Sequence, residues 1–141
     1  MGILTLHEME YIIFSLAREQ LSFDEPIPDF ATRFPNILES CLSVPVQTFG
    51  KKDLYPSFVE KAGILFYLMV KNHPFQNGNK RIAVVTLLYI MYKNRKWIKA
   101  DTQVLYNFAV WVAESPPMAK EETISYIAKF LNNYMVLLKD A

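Results

Sequence analysis

The segment from Asn79 to Tyr92 constrains the fold most, because its pattern is helical yet apolar on nearly every face. A helix that lies on a surface shows one apolar stripe, whereas a helix that is apolar all round is buried. The uncharged part of the segment, Ile82 to Tyr92, is well short of the roughly 20 residues that span a bilayer. The segment therefore predicts the central helix of a globular bundle and no membrane span.

Capping signals and apolar spacing predict further helices around this one. The first begins at a capping box of Thr5 and Glu8, and another begins at Ser57 and Glu60. The approximate bounds of these helices are 5–20, 36–42, 57–72, 101–114 and 121–138. With a length of 141 residues, 52% of them hydrophobic, we expect one domain over residues 1–141 with a single core.

Two stretches interrupt the helical pattern. Phe23 to Pro35 contains three prolines and several acidic residues, which indicates a connecting loop. Val44 to Asp53 combines Pro45 with alternating apolar and polar residues and then Gly50, which favours a short extended β-hairpin. We name this hairpin the flap.

Composition and charge exclude several classes of protein. A formal net charge of +1 argues against a nucleic-acid-coating protein. Four glycines cannot assemble either a dinucleotide-binding glycine motif or a P-loop. Cys41 is the single cysteine, and the N-terminus shows no signal-peptide pattern, so we expect a cytoplasmic protein without disulfides.

The positive charge is concentrated in one part of the chain. Residues 61–100 contain eight basic side chains and no acidic one, whereas the remainder carries 7 basic and 14 acidic residues. Near-neutrality overall therefore does not argue against local recognition of phosphate, because the central helix lies within the basic part.

The start of the central helix has the composition of an anion-binding site. Asn77, Gly78 and Asn79 precede or open the helix, and Lys80 and Arg81 add two cations. A helix N-terminus carries partial positive charge, and a glycine lets a ligand approach the backbone closely. Cations at this end are disfavoured by the helix dipole, and a bound phosphate would compensate their charge. Arg81 can clamp phosphate oxygens, and Lys80 acts as a mobile point charge.

His73 lies five residues before Gly78, in the loop between the two central helices. An imidazole beside a phosphate site can take a proton from an attacking hydroxyl near neutral pH. Pro74 and Phe75 are expected to anchor and stiffen this loop. Taken alone, His73 is better explained as a loop histidine that bonds a carbonyl, and its neighbours are what favour a catalytic role.

Residues 73–81, HPFQNGNKR, resemble the signature of the Fic/Doc family. That signature is HxFx(D/E)GN followed by GR in Fic proteins and by KR in Doc-like ones, and Lys80 matches the Doc-like branch. The resemblance covers residues 38–100. It implies an all-α fold, a compact helical bundle with a central buried helix and a small β-hairpin flap that aligns the target.

The resemblance also implies an enzyme that modifies proteins. Doc-like members transfer the terminal phosphate of ATP to a hydroxyl side chain of a target protein, whereas Fic members mostly transfer AMP. It implies a toxin of a toxin–antitoxin pair, with a target in the translation machinery. AMP transfer (protein adenylylation) and a catalytically weakened binding or regulatory module are the alternatives.

The resemblance assigns roles residue by residue. His73 is the general base, Asn77, Gly78 and Asn79 hold nucleotide phosphate, and Lys80 and Arg81 neutralise it. The flap residues expected to contact the target are Gln47, Thr48, Phe49 and Gly50. For Thr48 and Phe49, ordinary hairpin packing is an equal alternative.

The chain departs from the family pattern at one important position. Asn77 stands where the family usually has the Asp or Glu that holds Mg²⁺, so we expect a weakened magnesium site and reduced activity. Ser15 and Glu19 match the spacing of the family's inhibitory pattern, but Gln20 replaces its last residue. A separate antitoxin is therefore favoured over self-inhibition.

Overall fold

Two long helices, α4 (Phe58–Lys71) and α5 (Asn79–Lys93), lie at the centre of the molecule. The structure is a computed structural model that describes residues 4–20 and 26–141, with Gln20 described by its backbone alone. Ten consecutive residues of α4, from Lys61 to Val70, are buried. Ten residues of α5 are buried as well, so the sequence prediction of a central buried helix is confirmed.

The other elements surround this pair, and the all-α class is confirmed. The helices are α1 (Leu6–Tyr11), α2 (Arg18–Gln20), α3 (Pro35–Ser43), α6 (Thr102–Glu114) and α7 (Lys120–Tyr134), with a π-helix (Ile12–Ala17) between α1 and α2. Short 3-10 turns occupy Phe30–Thr32, Val44–Val46, Pro117–Ala119 and Leu138–Asp140. The strands are β1 (Thr48–Phe49), β2 (Lys52–Asp53), β3 (Lys96–Ile98) and β4 (Met135–Leu137). Buried apolar side chains from Met9 to Leu131 form one cluster.

Helix starts follow the capping signals. Thr5 Oγ1 accepts the amide of Glu8 at 3.1 Å, and a Glu8 carboxylate oxygen accepts the amide of Thr5 at 3.0 Å. Ser57 Oγ accepts the amide of Glu60 at 3.1 Å. Each bond satisfies an amide that has no partner within its helix, which explains why these local signals predict the first residues well.

Two sequence predictions of extended or helical structure need correction. Only the second half of residues 44–53 forms the hairpin, because Pro45 lies in a 3-10 turn, a position that suits its fixed φ. The last helix ends at Tyr134 rather than Leu138. Beyond it, β4 pairs antiparallel with β3, a second small sheet that periodicity did not indicate.

The connecting segment before α3 agrees with the predicted loop where it is described. Residues 26–29 have no regular structure, and residues 21–25 lie outside the described part of the chain. None of the helices in the described ranges has both the length and the apolar character needed to cross a bilayer.

Candidate active site

The loop that joins α4 to α5 is held in place by buried residues at its centre. Pro74 and Phe75 are buried, and the amide of Phe34 donates to the carbonyl of Pro74 at 2.9 Å. The ring of Phe75 lies 6.4 Å from that of Phe30, centroid to centroid. The loop is therefore packed against the segment that precedes α3.

The side chain of Asn79 holds the loop through hydrogen bonds to the loop backbone. Its Oδ1 accepts the amide of Phe75 at 3.0 Å, and its Nδ2 donates to the carbonyl of Phe75 at 2.9 Å. The residue is 7% exposed. Since both backbone groups of one residue are satisfied by one side chain, Asn79 fixes the conformation of the loop. Sequence reasoning expected phosphate binding here and missed this role.

His73 stands at the exposed edge of the same loop. Its backbone has a φ of +51°, in the left-handed region that residues other than glycine seldom adopt. Asn79 Nδ2 lies 3.5 Å from His73 Nδ1, at the long limit of a hydrogen bond. The imidazole is thus exposed to solvent and only weakly oriented, which leaves it accessible to a substrate hydroxyl.

Gly78 is the N-cap residue of α5 and has a φ of +70°. A Cβ at this position would lie 3.0 Å from Ile27 Cδ1 and 3.1 Å from the carbonyl oxygen of Pro26. Glycine is therefore required here both by conformation and by the close approach of residues 26 and 27. It brings the N-terminal end of α5, with its partial positive charge, next to the His73 loop.

Asn77 is half-buried, and its side-chain oxygen accepts the amide of Gly78 at 3.0 Å. Among the described residues, no group of three or more His, Cys, Asp and Glu side chains could hold a metal ion. Magnesium prefers an octahedron of oxygens that usually includes carboxylates. One neutral oxygen that already accepts a hydrogen bond does not build such a site, so these residues do not fit a dedicated magnesium centre.

The two cations of the motif lie in different environments. Lys80 is half-buried, whereas Arg81 is 6% exposed and donates from Nη2 to the carbonyl of Ala17 at 2.7 Å. Arg81 therefore links α5 to the last residue of the π-helix. The phosphate-binding role expected for Arg81 stays a prediction, beside this structural contact.

The flap is a tight hairpin on the surface. Thr48 pairs with Asp53 and Phe49 with Lys52. Gly50 and Lys51 both have positive φ, +57° and +68°, as a type I′ turn requires. The residues expected to contact a target, 47–50, are all exposed, and Phe49 is 80% exposed. They lie before the first turn of α4, whereas His73 follows its last turn.

Cys41 is confirmed as a core residue. It is fully buried, and burial raises the pKa of its thiol to about 11. The thiolate, which is the nucleophilic form, is therefore disfavoured. This leaves His73 and the start of α5 as the candidate site.

Comparison with known proteins identifies the family of the chain. No significant match was found among curated proteins or among solved structures. The model of the Fic/DOC family matches residues 4–91, from the start of the first helix to near the end of α5. The match spans more than half of the sequence and includes the His73 loop and the flap, and the chain therefore belongs to the Fic/DOC family.

Proposed function

We propose that this chain is a Doc-like transferase that moves the terminal phosphate of ATP to a hydroxyl side chain of a target protein. Family membership supports a protein-modifying transferase. One observation supports the proposal of phosphate transfer. The exposed imidazole of His73 lies one short loop before the N-terminus of a buried helix, which is capped by Gly78 and begins with Asn79, Lys80 and Arg81.

In the proposed reaction, His73 accepts the proton of the target hydroxyl while the oxygen attacks the γ-phosphorus of ATP. The bond between this phosphorus and the β–γ bridging oxygen breaks, and ADP leaves with the bonding electrons. His73 then returns its proton to solvent. The positive end of α5 and the ammonium group of Lys80 stabilise the charge on the phosphoryl oxygens, which is the main demand of phosphoryl transfer.

Magnesium, when bound with ATP, would neutralise charge on the β- and γ-phosphates. Asn77 is the motif residue that stands in the metal-binding position, and it offers a neutral oxygen. We therefore expect a metal requirement weaker than that of a carboxylate site.

The test is transfer of label to the proteins of a cell lysate. The purified chain is incubated with lysate, Mg²⁺ and ATP labelled at the γ- or the α-phosphate. We expect γ-label on a protein band and at least a roughly 100-fold loss of this transfer in His73→Ala. His7→Ala is the matched control, since His7 is the other histidine and lies exposed in α1. If neither the natural chain nor Asn77→Asp transfers label, the proposal that this chain is an enzyme is rejected.

The identity of the transferred group depends on Lys80. Its side chain occupies the place of a glycine in Fic enzymes and should hinder deep seating of the α-phosphate. Lys80→Gly is therefore expected to shift transfer from the γ-label towards the α-label. AMP transfer by the natural chain, with release of pyrophosphate, is the alternative, and α-label on the target would establish it.

A second candidate function is favoured by Asn77. Its neutral oxygen accepts the Gly78 amide, so the chain could retain a phosphate pocket for binding or regulation with little or no transfer. This function predicts binding of ATP without label on any protein. It also predicts that Asn77→Asp adds transfer that the natural chain lacks.

The biological role that we propose is a cytoplasmic toxin, acting on a protein of the translation machinery and held inactive by a separate antitoxin protein. We propose neither nucleic acid nor membrane as a partner. Ser15 is half-buried and Glu19 is exposed on the N-terminal helices. Growth arrest on expression that His73→Ala abolishes and Glu19→Ala leaves unchanged would support a toxin without self-inhibition. Arrest that begins only with Glu19→Ala would instead establish self-inhibition.

A further inference from the structure

Lys61, in the first turn of α4, is a buried lysine outside the candidate active site. It is 7% exposed, although lysine is almost never fully buried without a partner. Removing an ammonium group from water is costly unless polar groups replace its hydration. The position of this side chain therefore requires specific acceptors.

One acceptor lies at the end of the flap and the other in the connection that leads to α4. Lys61 Nζ donates to Asp53 Oδ2 at 3.0 Å and also to the backbone carbonyl of Tyr55. Asp53 is the last residue of β2, and Tyr55 lies in the connection to α4. The Asp53 side chain is about half exposed, whereas that of Lys61 is 9% exposed. The buried partner of this ion pair is therefore the lysine on α4, and the exposed partner is the aspartate on the flap.

Besides these bonds from Lys61, the flap is held at its flanks, where Pro45 is buried and Tyr55 packs against the core, whereas the strands between them are exposed. Each strand is two residues long, and all four strand residues are exposed. An isolated two-stranded hairpin is marginally stable in water. Near its base, the amide of Leu54 donates to the carbonyl of Gln47 at 3.0 Å, which closes the hairpin on itself but does not orient it on the helix.

We propose that Lys61 is the positioning residue of the flap: its buried ammonium group clamps the end of β2 onto α4. The clamp joins the hairpin to a helix that is buried from Lys61 to Val70 and whose last turn leads into the His73 loop. The flap and His73 then belong to one rigid body, and the exposed edge of the hairpin holds a target in a fixed direction. This last step rests on the proposed function.

Hydrogen–deuterium exchange tests the clamp without any substrate. In Lys61→Met, the amides of residues 48–54 should exchange about tenfold faster or more, while those of α4 and α5 stay near natural rates. Lys61→Arg should restore most of the protection, because it keeps the charge and the donors. Lys71→Met is the matched control, since Lys71 lies at the other end of α4 and donates to the carbonyls of Ala113 and Ser115. It should leave the flap unchanged.

A transfer assay tests the consequence of the clamp. Total lysate protein is titrated as acceptor at saturating γ-labelled ATP. Lys61→Met should raise the apparent KM for lysate protein about tenfold, in proportion to the loosened flap, with the Kd for ATP unchanged and with rescue in Lys61→Arg. Equal losses in ATP binding and acceptor use would contradict a positioning role.

The two assays separate failure of the clamp from failure of the proposed function. Natural exchange rates at residues 48–54 in folded Lys61→Met overturn the clamp, whatever the transfer assay gives. A loosened flap with unchanged apparent KM overturns its link to the target. If no variant transfers label, the proposed function fails and exchange alone decides the clamp. Should Lys61→Met not fold, Asp53→Asn replaces it, with faster flap exchange expected and natural rates again overturning the clamp.

Discussion

The His73 loop and the flap are both short connections beside α4, yet they are built in different ways. In the loop, Pro74, Phe75, Gly78 and Asn79 are buried and the backbone is bonded from within by the Asn79 amide. In the flap every residue from 47 to 53 is exposed. The loop is anchored in the core by these residues, although His73 itself is exposed, whereas the flap lies on the surface.

This difference separates two requirements of a group-transfer site. The backbone that carries a proton acceptor and a phosphate site must be held close to the productive geometry, and the buried hydrogen bonds of Asn79 hold the loop backbone in this way. A hairpin that contacts a protein target, as the proposed function requires, needs a fixed direction more than rigidity in every residue. We therefore expect substitutions in the loop to lower global stability and substitutions in the flap to act locally.

Asn79→Ala should produce the largest loss of stability. It leaves the buried amide and carbonyl of Phe75 without their partner, which should lower the free energy of unfolding by about 3 kcal/mol. Asn94→Ala is the matched control at the other end of α5, where Nδ2 donates to the carbonyl of Ile90 alone at 2.8 Å. It should cost about 1 kcal/mol. Urea denaturation measures both, and equal losses would show that the loop is not specially fixed by Asn79.

A pair of glycine substitutions compares the two regions directly. Gly78 and Gly50 have similar positive φ, +70° and +57°, but a Cβ would meet Pro26 and Ile27 at the first and nothing within 4 Å at the second. Gly50→Ala should cost about 1 kcal/mol from backbone strain alone. Gly78→Ala adds overpacking and should cost about 2 kcal/mol or more. Thermal or urea unfolding would contradict this account if Gly50→Ala were the more damaging.

Capping and burial patterns predicted the positions of the helices, because both signals are local, but not the π-helix at Ile12–Ala17 or the end of α7 at Tyr134. Thr5 and Ser57 mark helix starts through bonds to residues three positions away. Pairing of β3 with β4 was missed because it joins Lys96–Ile98 to Met135–Leu137, far apart in the sequence. Arg95, with a φ of +61°, reverses the chain just before β3, and no glycine marks that turn.

For the site as well, the sequence predicted what depends on neighbouring residues and missed what depends on contacts between distant ones. His73 to Arg81 are contiguous, so their sequence alone brought them together. The roles of Asn79 and Arg81 in holding the loop and the π-helix depend on contacts with Phe75 and Ala17 that the motif does not specify. Lys61 gave no signal, because a lysine in the first turn of a helix usually extends into solvent.

A group of hydrogen bonds around Glu8, near the C-terminal end of α5, involves neither the His73 loop nor the flap. It therefore provides a reference for both regions. The Glu8 carboxylate accepts from the Thr5 amide at 3.0 Å, from Lys93 Nζ at 3.0 Å and from the Tyr89 hydroxyl at 3.1 Å. Burial acts to raise the pKa of Glu8, but these hydrogen bonds outweigh it and the pKa is lowered. Burial, and then the bond to Glu8, raises the pKa of Tyr89, which therefore stays a donor.

Glu8→Gln should have the smallest effect, about 1 kcal/mol near pH 7, since it removes charge but keeps an oxygen. A lowered folded-state pKa means that the charge stabilises the fold above the ordinary pKa of glutamate. That stabilisation is lost as the pH falls through the lowered value. The gap between Glu8→Gln and the natural chain should therefore close in urea denaturation as the pH falls below the lowered pKa of Glu8, where both side chains are neutral. Exposed Glu10→Gln, on the same helix, should differ little from the natural chain at either pH. A difference in the free energy of unfolding that persists in acid would show that Glu8→Gln acts through packing and not through charge. By contrast, the losses of stability in Asn79→Ala and Gly78→Ala should persist in acid, because neither depends on a carboxylate.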